Sequence, residues 1–289
     1  MTPRLHMPTV EMYITNVCNL ACDGCNRFNN YKFKGFQRWA DYKEVYTEWA
    51  KKINFGRIGF LGGEPLLNVD ILDWITGVRC LWPKTRINIV TNAYRLNQVP
   101  GLYDLIVADK NVHLKVGVHN KASKQLIMNN IHQFLQAPLT HKFDGSDPYQ
   151  TKVTVTDANG VAILVEHNWW FHQGTLIEDP EKMEFTLYNS DREKAHSNCS
   201  MKHCYTFHRG ELYKCGVVAL LPEFGKQYKI HADQELLHGY RSLKHTDDLA
   251  TCTAFVRNLP HSIEQCKFCP EVYNGKQIEA VEKKVLFIK

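Results

Sequence analysis

Nothing in the 289 residues approaches the roughly 20 consecutive apolar residues that a membrane-spanning helix needs. The opening "MTPRLHMPTVEMY" also lacks the apolar run of a secretory signal. The expectation is a soluble, cytoplasmic protein with no membrane partner. Internal repeats, low-complexity linkers and runs of like charge longer than pairs such as "KK" are missing too. Their absence excludes a solenoid, a disordered tail and a polybasic arm. Net charge is modest, 35 basic against 30 acidic residues for +5. That leaves a nucleic-acid partner open, but no stripe of Lys and Arg interleaved with aromatics supports one.

What is present suffices for a sizeable core. At 44% hydrophobic and 22% charged residues, the chain can form one large domain or a large domain with a smaller appendage. Ten cysteines without a secretory signal argue against a disulfide framework, and in a reducing compartment clustered cysteines more often hold metal. They do cluster: Cys18, Cys22 and Cys25; Cys199, Cys204 and Cys215; Cys266 and Cys269. Cys80 and Cys252 stand alone and are expected to act as small buried hydrophobes.

Strand-like and helix-like segments alternate through the first half. "TVEMYIT", "RIGFLG", "RINIVTN" and "VHLKVGVH" have the content of strands. "YKEVYTEWAKKI", "VDILDWITGVRCL", "VPGLYDLIVAD" and "KASKQLIMNNIHQFLQ" have helical spacing. Such alternation implies an α/β fold, a barrel or open sheet with parallel strands and right-handed crossovers. Ligands in these folds gather at the carboxyl ends of the strands. The cysteine loop, "GGEP" and "TNA" each follow a strand, so they should meet on one face. Past residue 140 the pattern loosens into two strands around an Asn159-Gly160 turn and another at "MEFTLYN". The rest is short, turn-rich and cysteine-rich, with a last helix expected at "IEAVEKKVLFI". We place a boundary near residue 190, giving domains 1–190 and 191–289.

Three thiolates spaced C-x3-C-x2-C can wrap one corner of a metal cluster. A cubane [4Fe-4S] cluster so held keeps one iron open, whereas structural zinc wants four closed ligands. "CNLACDGC" resembles the signature of the radical S-adenosylmethionine (radical SAM) superfamily, and "FLGGEPLLN" resembles that family's Gly-Gly-Glu motif. The resemblance implies a partial (β/α)6 TIM-like barrel, with Cys18, Cys22 and Cys25 on a [4Fe-4S] cluster whose open iron chelates SAM. Gly62 and Gly63 would present backbone groups to the SAM amino group and Glu64 would help hold it. Gly24 stands where many relatives carry an aromatic residue whose backbone meets the adenine. Asn92 and His119 are weaker candidates near SAM, since a strand-end histidine is often just a hydrogen-bonded surface group.

The second half has its own pattern. Cys199, ten residues, Gly210, four residues and Cys215 precede the pair Cys266 and Cys269. This resembles the small cysteine-rich α+β twitch domain, a shortened SPASM-like module that holds an auxiliary [4Fe-4S] cluster with a β-hairpin. Gly210 would make the hairpin turn. Cys199 and Cys204 both precede the hairpin, and the spacing leaves open which is the ligand. Structural zinc is the rival occupant.

The chemistry implied by the resemblance is reductive cleavage of SAM to a 5'-deoxyadenosyl radical that abstracts hydrogen from a substrate carbon. The electron would come from a donor such as flavodoxin or ferredoxin. An auxiliary cluster favours net oxidation, such as dehydrogenation of a small molecule or a nucleotide or sugar derivative. Epimerisation with Cys204 returning a hydrogen atom, a peptide maturase acting on a short peptide, and nucleobase modification are alternatives; an electron carrier without radical chemistry is the rival class. In "EHNWWFHQGT" adjacent aromatics point to opposite strand faces, so core packing competes with Trp170 and His172 as substrate contacts.

Overall fold

The computed structural model describes residues 4–22, 25–31, 33–119, 121–136, 138–141, 153–167, 176–179, 181–272 and 280–282. The first half runs β1 (Leu5–Thr15), β2 (Leu20–Cys22), α1 (Trp39–Lys52), β3 (Ile53–Gly62), α2 (Ile71–Leu81), β4 (Arg86–Thr91), α3 (Leu102–Ala108), β5 (Val112–Val118) and α4 (Lys124–Phe134). There follow β6 (Leu139–His141), β7 (Val153–Asp157), β8 (Ala162–His167), β9 (Leu176–Asp179) and β10 (Glu184–Leu187). The remainder comprises α5 (Arg192–Asn198), β11 (Thr206–His208), β12 (Glu211–Tyr213), α6 (Gly216–Gln227), β13 (Lys229–His231), α7 (Gln234–His238), α8 (Leu249–Asn258) and β14 (Ala280–Glu282). Among the described residues no helix is long and apolar enough to cross a membrane.

The main sheet has the order β12-β11-β1-β3-β4-β5-β8-β7-β6. From β11 through β8 every neighbouring pair is parallel, and antiparallel partners flank this block. This is the expected α/β architecture with a mainly parallel sheet. A small sheet, β13-β10-β9, accompanies it. The helices cover the sheet through stripes that recur at helical spacing. On α2 the buried side chains are Ile71, Trp74, Ile75 and Val78. Strand β4 alternates, burying Ile87, Ile89 and Thr91 while Asn88 and Val90 alternate with them. A second apolar cluster joins Tyr13 and Phe28 to Phe185, Phe224 and Phe268. Phe28 and Phe224 lie with ring centroids 5.1 Å apart, and Tyr31 meets Phe185 edge-on at 5.1 Å. The chain beyond residue 190 is thereby packed on the first cysteine loop as well as paired to β1 through β11.

The hairpin of β11 and β12 turns at Arg209 and Gly210, with φ of 49° and 77°. Two successive left-handed residues are the tight turn whose twist suits paired strands. A Cβ on Gly210 would fall 2.6 Å from Cγ1 of Val45, so close packing on α1 also favours glycine there.

Three expectations need correction. The C-terminal helix is not formed at residues 280–282, where β14 pairs antiparallel with β2, Ala280 opposite Cys22. Pairing with the short strand of the cysteine loop overrides the helix preference of Ala and Glu. The turn-rich region beyond Asp191 contains α6 and α8. Cys252 is buried as expected, but Cys80 is exposed because α2 buries its opposite face.

Candidate active site

The loop after β1 is held by the end of β3. The Gly63 amide donates to the Thr15 carbonyl at 2.8 Å, and the Glu64 amide to that of Val17 at 2.8 Å. A Cβ on Gly62 would lie 2.2 Å from Thr15 O, and one on Gly63 2.1 Å from Val17 O. Only glycine lets the two segments approach so closely. Within the loop, Leu20 N donates to Sγ of Cys18 at 3.4 Å. Cys25 N donates to Cys22 O at 3.3 Å, and Phe28 N to Cys25 O at 3.0 Å. Sγ of Cys22 lies 3.8 Å from Nδ1 of His119.

Glu64 sits at the centre of this arrangement. One carboxylate oxygen accepts from Leu66 N at 3.0 Å and the Thr91 hydroxyl at 2.6 Å; the other accepts from Asn92 N at 2.7 Å. Burial nevertheless pushes its pKa from the ordinary 4.5 up to about 7, against the pull of those three bonds. The Asn92 side chain reaches Oδ1 of Asn19 in the cysteine loop at 2.8 Å. Nδ2 of Asn19 is buried with no partner among the described residues, a donor that suits a cluster sulfur or a carboxylate.

These groups line a cavity of about 510 Å³. Cys18, Cys22, Cys25, Gly62, Gly63, Glu64, Asn92 and His119 all border it, so the three predicted loops do meet on one face. Gly24, Trp170 and His172 lie outside the described residues. The wall that sequence reasoning missed is ionic. Arg27 pairs with Glu11 and also donates to the Thr206 hydroxyl at 3.3 Å; Lys115 pairs with Glu166 at 2.5 Å. Lys115, Gly117 and His119 alternate along one face of β5 and its continuation, and the β5–β8 pairing sets Glu166 opposite Gly117.

The C-terminal cysteines divide into a group of four and a fifth. Cys199 caps the end of α5, Cys215 begins α6, and Cys266 and Cys269 flank the end of a short 3₁₀ turn at Glu264–Phe268. Burial raises the thiols of Cys215, to about 11, of Cys266 and of Cys269; the charges of neighbouring cysteines in the group raise them further. At Cys215 the amides of Val218 and Val217 act the other way, favouring thiolate at the start of α6. Cys204 instead faces Glu11 and Arg27 on the cavity wall, and burial pushes its thiol up to about 12. No disulfide joins any of the ten cysteines. Among the described residues no three His, Cys, Asp or Glu converge on one metal ion. A multi-iron cluster distributes its thiolates over separate irons, and half-buried thiols whose charges act on one another are a donor set that such a cationic core would keep deprotonated.

Residues 12–126 match the family model described as the radical SAM superfamily. Over 108 residues the chain is 27% identical to GTP 3',8-cyclase of Listeria monocytogenes serotype 4b, covering 36% of this chain and 32% of that protein. The match thus spans about a third of the relative's length. Among solved structures, Streptococcus suis SuiB bound to S-adenosylmethionine is similar over 41% of this chain and 27% of its own, at 21% identity and a TM-score of 0.33. BtrN in complex with AdoMet and 2-DOIA covers 95% of this chain and 98% of its own, at 17% identity and a TM-score of 0.48.

Proposed function

We propose that the protein is a radical SAM enzyme, in keeping with the match of residues 12–126 to that family model, and that it uses SAM and an electron from a small redox protein to remove hydrogen from a small polar substrate, with net oxidation as the outcome. The observation that carries this reading is the common cavity: the three-cysteine loop and the Gly-Gly-Glu turn form one rim, and two ion pairs and Cys204 form the wall. Bound together, the first cluster and SAM supply reductive sulfonium cleavage and a hydrogen-abstracting 5'-deoxyadenosyl radical.

The chain's own part is placement. Cys18, Cys22 and Cys25 hold the first cluster, and Gly62, Gly63 and Asn92 position SAM beside it. Glu64 braces the turn through its three accepted bonds rather than lying open to solvent. Lys115 with Glu166, and Arg27 with Glu11, offer donors and acceptors suited to hydroxyl or amino groups, as in a sugar or nucleotide derivative. Cys199, Cys215, Cys266 and Cys269 form the auxiliary site in the region 191–289.

A second reading is favoured by one residue. Cys204 borders the cavity with a thiol that burial keeps protonated. In an epimerisation it would return a hydrogen atom to the substrate carbon, and the electron donor and a proton would then restore the thiol.

The test is anaerobic reconstitution with iron and sulfide, then reduction in the presence of SAM. Release of 5'-deoxyadenosine with about eight irons per chain, as two four-iron clusters require, supports the reading. Zinc in place of iron with no SAM cleavage overturns it. Cys22→Ala abolishes cleavage; Cys269→Ala spares part of it while removing substrate turnover.

A further inference from the structure

Lys214 stands immediately before Cys215, between β12 and α6, with 3% of its surface exposed. Its ammonium donates to the carbonyls of Leu259 and, at 3.3 Å, Lys202. It lies 3.4 Å from Nε2 of His196 and 5.6 Å from the centre of the Tyr205 ring. The carbonyls and the ring are neutral, and the Lys202 amide in turn donates to the Cys199 carbonyl at 3.3 Å, so the ammonium sits on the turn that carries Cys199 as well as beside Cys215. Burial pulls its pKa down, and the charges that act the other way are those of Cys266, Cys215 and Cys199. Burying a cation against neutral groups alone costs several kcal/mol. Arg27, the other buried cation near Cys215, has its charge met by Glu11. Among the described residues no carboxylate pairs with Lys214, and the cysteine sulfurs are the anionic groups that act on it.

We propose that Lys214 is a positioning residue for the auxiliary cluster, its positive charge raising the reduction potential of iron and sulfur held by Cys199, Cys215, Cys266 and Cys269. The inference rests on reading those four cysteines as a cluster site. A [4Fe-4S] core with four thiolates carries a net charge of 2− and becomes 3− on gaining one electron; no bond forms or breaks. Net charge and dipoles around the sulfurs set such potentials, and a cation in a buried setting favours the more negative state. Lys214 thereby biases the site towards accepting an electron, as an oxidation of substrate requires.

The test is a dithionite titration of the anaerobic holoenzyme followed by electron paramagnetic resonance, with and without SAM. The transition that SAM leaves unmoved belongs to the auxiliary site. Lys214→Met and Lys214→Gln should lower its reduction equilibrium about tenfold, equal to ~59 mV for a one-electron couple, while Lys214→Arg stays within about twofold of the parent. An unmoved potential in the Met and Gln variants at full iron content overturns the proposal. Loss of auxiliary iron in the variants overturns it in favour of a role in assembly. If the unmutated protein takes up only one cluster, the reading of the four cysteines fails and takes the proposal with it. That outcome appears before any variant is made.

Discussion

The Gly63 amide donates to the Thr15 carbonyl at 2.8 Å, joining the end of β3 to the end of β1 beneath the first cysteine loop. A methyl group on Gly63 would sit 2.1 Å from Val17 O and 2.9 Å from Cys18 N, so the backbone that carries Cys18 must move. Gly63→Ala is expected to cost about 1–3 kcal/mol, as overpacking does, and to reduce iron uptake at the first site. Gly59→Ala is the control, since its added Cβ meets nothing nearer than Val10 O at 3.9 Å. Equal iron content in the two variants would show that the close approach is not what shapes the loop.

Cys199 and Cys204 part company in the fold. The charge of Cys199 acts on Cys215, Cys266 and Cys269; it reaches Cys204 as well, but there the stronger neighbours are Glu11 and Arg27 on the cavity wall. Cys199→Ala should lose about four irons per chain, one cluster's worth, and Cys204→Ala should keep them. Iron and sulfide analysis after reconstitution decides it. The reverse pattern would assign ligation to Cys204 and remove it from the second reading of the function.

Spacing in the sequence predicts the alternating strands and helices, the meeting of the three loops and the Gly210 turn, because each rests on local chemistry. The choice between Cys199 and Cys204 was not legible, since it depends on β11 pairing with β1 and turning Cys204 inward. The ion pair of Lys115 and Glu166 joins strands far apart in the chain, and no local pattern announces it. The helices beyond Asp191 were legible but missed. Asp191, Asp233 and Asp248 each accept amide hydrogen bonds at the start of a helix, the sort of cap that polar residues before an apolar run supply.

Glu64 carries a pH dependence of known sign. Its pKa is raised from 4.5 to about 7, so between those values the folded protein binds a proton that the unfolded chain releases. Its contribution to stability is greatest below about pH 4.5 and falls as pH rises towards 7, by roughly 3 kcal/mol in all. Urea unfolding of the cofactor-free protein at pH 5.5 and pH 8.0 should show this fall. Glu64→Gln cannot titrate, and its amide meets the Asn92 N–H, so it starts less stable at pH 5.5 and the gap narrows at pH 8.0. A gap independent of pH would contradict the raised pKa.

The pairing of β14 with β2 places Ala280 opposite Cys22 and Glu282 opposite Leu20. Removing the residues beyond Val272 should expose the amides of β2. Hydrogen exchange at those β2 amides that face β14, alternate ones in an antiparallel pair, should then quicken by about tenfold or more, with exchange in β4 unchanged, since opening is local. Unaltered exchange in β2 would mean that the loop is held by its contacts with β3 alone.

Arg27 and Glu11 bind the first cysteine loop to β1 from within the cavity wall. Arg27 is almost wholly buried, and a Cβ on Gly216 would fall 1.3 Å from its Nη1, so the start of α6 is shaped to admit the guanidinium. Arg27→Met leaves the Glu11 carboxylate beside the half-buried Cys204 without its partner. Breaking a buried pair costs about 3–5 kcal/mol, with the low end expected because Glu11 keeps some contact with solvent. Replacing both, Glu11→Leu with Arg27→Met, should cost less than Arg27→Met alone, because no charge is then stranded. A double-mutant cycle by urea unfolding reads the coupling. Simple additivity would mean that water already satisfies Glu11 and that the pair contributes shape to the cavity, not charge.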